Sequence, residues 1–149
     1  MLKKAIALSI LLPLSTISVA GEGMIRIKSQ HSVAETADKL VNVLTSKGMT
    51  VFNRIEHSKG AQKVGINIVN TQVVIFGNPK VGSPLMKCAP TVAIDLPQKA
   101  LIQEDEKNVV WISYNNPQYL KERHNIVGCD VVLNKVSKAL SNFATAAAS

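Results

Sequence analysis

Ile75-Phe76 closes an apolar run that breaks at Gly77 and continues as Asn78-Pro79-Lys80-Val81-Gly82-Ser83-Pro84-Leu85-Met86. Few conformations suit so many glycines and prolines in so short a stretch. Proline holds φ at about −65° and donates no amide. Ser83 can cap a helix whose first residue is Pro84, where the missing amide costs nothing. An apolar strand, a tight turn and a helix therefore follow one another, and the chain must combine sheet with helix.

The flanking segments extend that reading. Met24 to Lys28 alternates apolar and basic residues, as a half-buried strand does. Ser32-Val33-Ala34-Glu35 forms a capping box. Val33, Ala37, Leu40, Val41 and Leu44 then recur at helical spacing, and Gly48 supplies a left-handed terminator. Thr50 to Glu56 reads as a strand and Lys59 to Val64 as a short helix. Gln72 to Phe76 reads as a central strand covered on both faces. Pro90 opens a short turn through Ile94 that Pro97 ends; a strand over Thr91 to Leu96 is the alternative. Lys99 to Gln103 and Val109 to Ser113 flank a polar connection and read as a hairpin. Asn116-Pro117 starts a helix to about Arg123, with Asn125 as a left-handed stop. The last helix runs from about Asp130 to Ala144 with Val132, Val136, Ala139, Leu140 and Phe143 as its apolar stripe, and Ala146 to Ser149 are expected to fray. One sheet and two good amphipathic helices predict a two-layer α+β domain, its sheet mixed or mainly antiparallel, with helices on one face.

Residues 1–20 read as a secretory signal peptide. Lys3 and Lys4 precede a short apolar stretch, and Ser18-Val19-Ala20 puts small residues where a signal peptidase reads them. Ala5 to Leu14 is too short to span a bilayer, so no stable membrane insertion is expected after cleavage. The remainder, 21–149, is the size of one domain, and its location is expected to be periplasmic or secreted. The chain carries 17 Lys+Arg against 10 Asp+Glu, a formal net charge of +7 that falls to about +5 without the two leader lysines. These charges are scattered and the aromatic residues few, so nucleic acid is not an expected partner. Cys88 and Cys129, an even count in an exported chain, predict a disulfide.

Several segments resemble domain-of-unknown-function family 302. They are Gly48-Met49-Thr50-Val51-Phe52 leading into Arg54-Ile55-Glu56-His57, the stretch from Phe76-Gly77-Asn78-Pro79-Lys80 through Pro84-Leu85-Met86 to Ile94-Asp95-Leu96-Pro97, and Asn115 to Gly128 with Arg123-His124. The family usually has Asp at Glu56, Thr at Ser83 and Gly at Asn125, changes that keep the local chemistry. The resemblance implies a TATA-binding-protein-like β-α-β(4)-α fold that often pairs as a homodimer. It supplies no catalytic residues and no cofactor.

Function is less legible. The turn from Asn78 to Ser83 is the first candidate site. Gly77 and Gly82 allow close backbone approach, amides at the helix start attract negative charge, and Lys80 adds a cation. A small anionic ligand is expected there, with Arg54, His57 and His124 as further binding residues. A purely structural turn, with Asn78 satisfying backbone groups, is the competing reading. No H-E-x-x-H or C-x-x-C spacing marks a metal site. A metal- or haem-associated protein using His57, His124 and Met86 is an alternative to the binding module. A small hydrolase-like enzyme is a second alternative, although no G-x-S-x-G elbow supports it.

Overall fold

The computed structural model describes residues 17–20 and 23–149. Most of the expected leader lies outside the described residues. Its end, Ile17–Ala20, is strand β1, which lies antiparallel along β2 (Met24–Lys28). Cleavage after Ala20 would remove β1 and leave β2 as the sheet edge.

Helix α1 (Val33–Ser46) begins as expected. Ser32 Oγ accepts the Glu35 amide at 3.3 Å while Glu35 Oε2 accepts the Ser32 amide at 3.1 Å. Val33, Ala37, Leu40 and Leu44 are buried. Thr36 shares that face; its Oγ1 lies 2.6 Å from Ser29 Oγ and donates to the Ser32 carbonyl at 2.8 Å. Gly48 sits at φ +71°, which leads the chain into β3 (Thr50–Glu56) at little steric cost.

After α2 (His57–Lys63) come β4 (Thr71–Gly77), α3 (Pro79–Cys88), a 3₁₀ turn (Pro90–Ile94), β5 (Gln98–Glu104), β6 (Val110–Asn115), α4 (Pro117–Arg123) and α5 (Asp130–Ala148). The six strands of the described residues form one sheet in the order β1-β2-β6-β5-β4-β3, every neighbouring pair antiparallel. The fold is α+β in two layers, as expected.

Strand pairing shows which face is closed. The row Gln72, Ile102, Ile112, Ile27 runs across β4, β5, β6 and β2, and all four residues are buried. The next row carries Val74, Ala100 and Tyr114, also buried. Helices α1 and α5 pack on this face and on each other. Full burial of each large aliphatic or aromatic side chain there contributes roughly 1.5–3 kcal/mol. The row Ile55, Val73, Leu101, Ser113, Arg26 lies on the opposite face, where the aliphatic members remain partly accessible. β4 is therefore an interior strand closed on one face, not both, and its burial alternates accordingly.

Three further expectations are corrected. Helix α3 starts at Pro79 rather than Pro84: Asn78 Oδ1 accepts the Lys80 amide at 2.9 Å, and Pro84 falls inside the helix. The short second helix begins at His57 and ends at Lys63. The chain end does not fray, because Ala144, Ala147 and Ala148 are buried and the Ala148 carbonyl accepts the Gln30 amide at 2.9 Å. The 3₁₀ turn, not the strand, occupies Pro90–Ile94.

Cys88 and Cys129 form a disulfide across 41 residues. On a chain-entropy basis, losing such a bridge costs about 4 kcal/mol. Replacing both cysteines by serine is expected to lower the urea midpoint accordingly, measured with the wild-type protein kept oxidised.

The β5–β6 connection turns on Asp105. Its Oδ2 accepts Trp111 Nε1 at 2.8 Å, and its Oδ1 accepts the amides of Val109 at 3.0 Å and Lys107 at 2.8 Å. Led by the Trp111 bond, these donors hold the carboxyl below its ordinary value. A depressed folded-state value makes the ionised turn stabilising above the unfolded-state value, and this stability is lost as pH falls through the folded one. Trp111 is the chain's one tryptophan. Its fluorescence is expected to change at a midpoint below that of a free aspartate, and Asp105→Asn is expected to abolish this transition.

Candidate functional site

The Asn78–Ser83 segment forms one wall of a hollow. Asn78 fixes the wall from both ends of its carboxamide: Oδ1 caps α3, and Nδ2 donates to the Gly48 carbonyl at 3.2 Å. That second bond ties the start of α3 to the end of α1. Gly77 is needed for contact, since a Cβ there would stand 3.3 Å from Phe52 Cε2 and 3.5 Å from Pro97 Cβ. Phe52 itself sits at an irregularity in the β3–β4 register, between Val51 and Asn53. Such bulges re-aim side chains.

Behind the turn lies a cavity of about 430 Å³. Met49 and Phe52 come from β3 and its approach; Val81, Gly82, Ser83, Leu85 and Met86 come from α3. Ala93 belongs to the 3₁₀ turn and Leu96 and Pro97 follow it, while Val136, Ala139, Leu140 and Phe143 come from α5. Phe76 and Phe143 meet edge to face at 6.5 Å between centroids. The polar lining is confined to Asn78, Ser83 and Gln98, and Lys135 is its single charged residue. Volume and apolar walls both match small-molecule pockets in general.

The amides expected to attract an anion are already used. The Lys80 amide donates to Asn78 Oδ1, and those of Val81 and Gly82 donate to the Asn78 carbonyl, both at 2.9 Å. Lys80 is exposed and does not line the cavity. Gly82 and Ser83 do line it.

Arg54 and His57 are not brought to the turn. Thr50 pairs with Gly77, so β3 runs away from the turn and Arg54 stands roughly 13 Å along it. Its guanidinium is occupied: Nε donates to Gln72 Oε1 at 2.7 Å, Nη2 to the Ala34 carbonyl at 3.3 Å, and Nη1 pairs with Asp38. Arg54 is thus a strut between β3 and α1. His57 is exposed at the start of α2, beyond the far end of the strand. His31 is engaged with Lys39 Nζ at 2.8 Å.

His124 occupies a separate cluster beside the 3₁₀ turn. Its Nε2 lies 2.5 Å from Asp95 Oδ2 and its Nδ1 lies 3.1 Å from Thr91 Oγ1. Asp95 also pairs with Arg123 Nη1 at 3.4 Å. The imidazole side chain is 5% exposed. Both ring nitrogens are therefore taken by the protein, which leaves neither free for a metal in this arrangement. Among the described residues no three His, Cys, Asp or Glu side chains gather to hold a metal ion. The hydroxyl–imidazole–carboxylate order is that of an acid–base relay. Here it also clamps the 3₁₀ turn to the end of α4, while the nearby disulfide joins the end of α3 to the start of α5.

A model of the family described as domain of unknown function DUF302 matches residues 25–143. The chain belongs to the DUF302 family. A crystal structure of an uncharacterized conserved DUF302 protein from Bacillus stearothermophilus superposes with a TM-score of 0.77. That match covers 85% of this chain and 99% of the other at 16% identity, and it shows the shared fold. Curated relatives include "Fluoride-specific ion channel FluC 1" of Brucella suis and of Brucella abortus, each 39% identical over 109 residues. The match takes 73% of this chain but only 43% and 40% of those relatives, so the DUF302 chain spans less than half their length. No helix among the described residues is long and apolar enough to cross a membrane.

Two cavity residues escaped the reading of this DUF302 sequence. Lys135 lies three residues after Val132 and four before Ala139, so it borders the apolar stripe of α5 while remaining exposed. Gln98 occupies the buried register of β5, in line with Ala100 and Ile102. Gln98 is a polar residue at a buried position and Lys135 an exposed one at the border of an apolar stripe, and that was the available signal. Truncating His124 to alanine would leave Asp95 without its closest partner. Urea denaturation of His124→Ala is expected to show a loss of about 1–3 kcal/mol, the cost of an unsatisfied partly buried acceptor.

Proposed function

We propose that this DUF302 domain is an exported, non-catalytic binding module whose ligand enters the apolar cavity behind the Asn78–Ser83 turn. The cavity carries the reading: about 430 Å³ of hollow walled by α3, α5 and the segment around Pro97. Soluble domains bury apolar side chains against each other where nothing else fills the space, because open apolar surface is unfavourable. A hollow of this size, bordered by a turn held in place through Asn78, suits an organic ligand. The Cys88–Cys129 bridge supports an oxidising location, in line with the leader-like first twenty residues.

The relatives named fluoride-specific ion channels support a module that works joined to, or beside, a membrane protein. A bare fluoride ion is not the ligand proposed for this cavity. Apolar walls with one lysine would strip its water and return little. The partly accessible face bearing Ile55, Val73 and Leu101, with the exposed Val64, Ile66 and Ile68 nearby in sequence, supports pairing of two copies. The Thr91–His124–Asp95 chain supports a second reading, a small hydrolase. Ester turnover by the wild type that vanishes in His124→Ala would favour it.

The binding reading predicts that a neutral apolar dye, N-phenyl-1-naphthylamine, brightens with the oxidised protein. Ala139→Phe, which fills the hollow from α5, is expected to weaken dye binding about tenfold, equivalent to roughly 1.4 kcal/mol. Far-ultraviolet circular dichroism should remain unchanged. Undiminished dye binding by that variant would remove the cavity from consideration.

A further inference from the structure

We propose that the occupant of this cavity is an amphipathic monocarboxylate: its apolar chain fills the hollow and its carboxylate meets Gln98 and Lys135. This rests on the binding-module reading and adds the chemical class of the ligand.

Gln98 is the first argument. It is 9% exposed, lines the cavity, and its carboxamide makes no hydrogen bond to any described residue. Its nitrogen and oxygen remain accessible, unlike Arg26 Nε, which is sealed without a partner. The carboxamide thus opens onto space rather than onto packed protein, and the cavity is the space it borders. Water can reach its NH₂ group while the cavity is open, so an occupant that displaces that water and accepts from the NH₂ group is favoured over a purely apolar one.

Lys135 is the second argument. It is the one charged residue of the wall, it is solvent-exposed, and it has no ion-pair partner among the described residues. An ammonium has three donors and no acceptor. A cationic head would be repelled there, and a doubly charged phosphate would lack a second cation within the lining. A single carboxylate takes one charge-assisted bond from Lys135 and one hydrogen bond from Gln98. Ser83, exposed at the same wall, offers a further hydroxyl. The remaining lining is almost wholly apolar, which suits an unbranched or cyclic hydrocarbon body.

The test displaces N-phenyl-1-naphthylamine from the full oxidised protein with decanoate, decanol and decyltrimethylammonium, each below its micellar concentration. Decanoate is expected to compete several-fold better than decanol, the advantage of a charge-assisted bond from a solvent-exposed lysine. That advantage should disappear in Lys135→Met and shrink in Gln98→Leu, while decanol competes equally with the wild type and Lys135→Met. Equal competition by decanoate and decanol, or an advantage that survives Lys135→Met, would overturn the carboxylate assignment and leave the cavity reading standing. Failure of the dye to bind at all would overturn both.

Discussion

Every structural choice in this domain follows from closing one side of an antiparallel sheet. Adjacent strands place their Ile27, Ile112, Ile102 and Val74 side chains on the same face, and two helices must cover them. α1 and α5 do so side by side and share an interface of their own. Because the side-chain period of a strand is two, the opposite face receives the intervening residues and needs no helix. A one-residue slip in any strand would transfer its apolar set to water. The small residues near the end of α5 belong to the same constraint. Ala144, Ala147 and Ala148 are buried, and the Ala148 carbonyl is tied to Gln30, so the helix can run close to the start of α1.

Most elements were legible because their ends carry local chemistry. Ser32 and Glu35 mark the start of α1, Gly48 its exit, and Asn116-Pro117 the start of α4. Asn125, at φ +50°, ends that helix. The start of α3 was not legible, for an equally local reason. Asn78-Pro79 and Ser83-Pro84 are both a capping residue followed by proline, and five residues separate them. The choice is made at a distance, by the Asn78 side chain reaching the Gly48 carbonyl. Pro84 then costs one helical donor to Lys80, whose exposure lets water take that place. The far end of α5 was misjudged because a run of alanines carries no periodicity of its own. Its burial is set by what packs against it.

The candidate site divides along the same line. That the Asn78–Ser83 segment borders a ligand-sized space could be approached from its glycines. Which side chains share that space could not, because strand direction is a tertiary fact. β3 leaves the turn at Thr50, so Arg54 and His57 are carried away from it and become a strut and a surface residue. His124 is drawn instead to Asp95 and Thr91, a contact made between segments about thirty positions apart. Gln98 and Lys135 were visible only as exceptions to an apolar pattern, and a pattern must be placed in a fold before its exceptions acquire meaning.

Helix α3 packs chiefly on α5 and the 3₁₀ turn. Leu85 anchors its middle, and Cys88 fastens its last turn to the residue before α5. The molecule thus sets a slab of sheet and helices beneath a cover secured at both ends, by Asn78 and by the disulfide. In a reducing compartment the fastening would open, and the cover would be held by packing and by the Asn78 bond to Gly48. The shape of the hollow, and with it the selectivity of anything inside, would then report the redox state of the surroundings while the slab beneath kept its form.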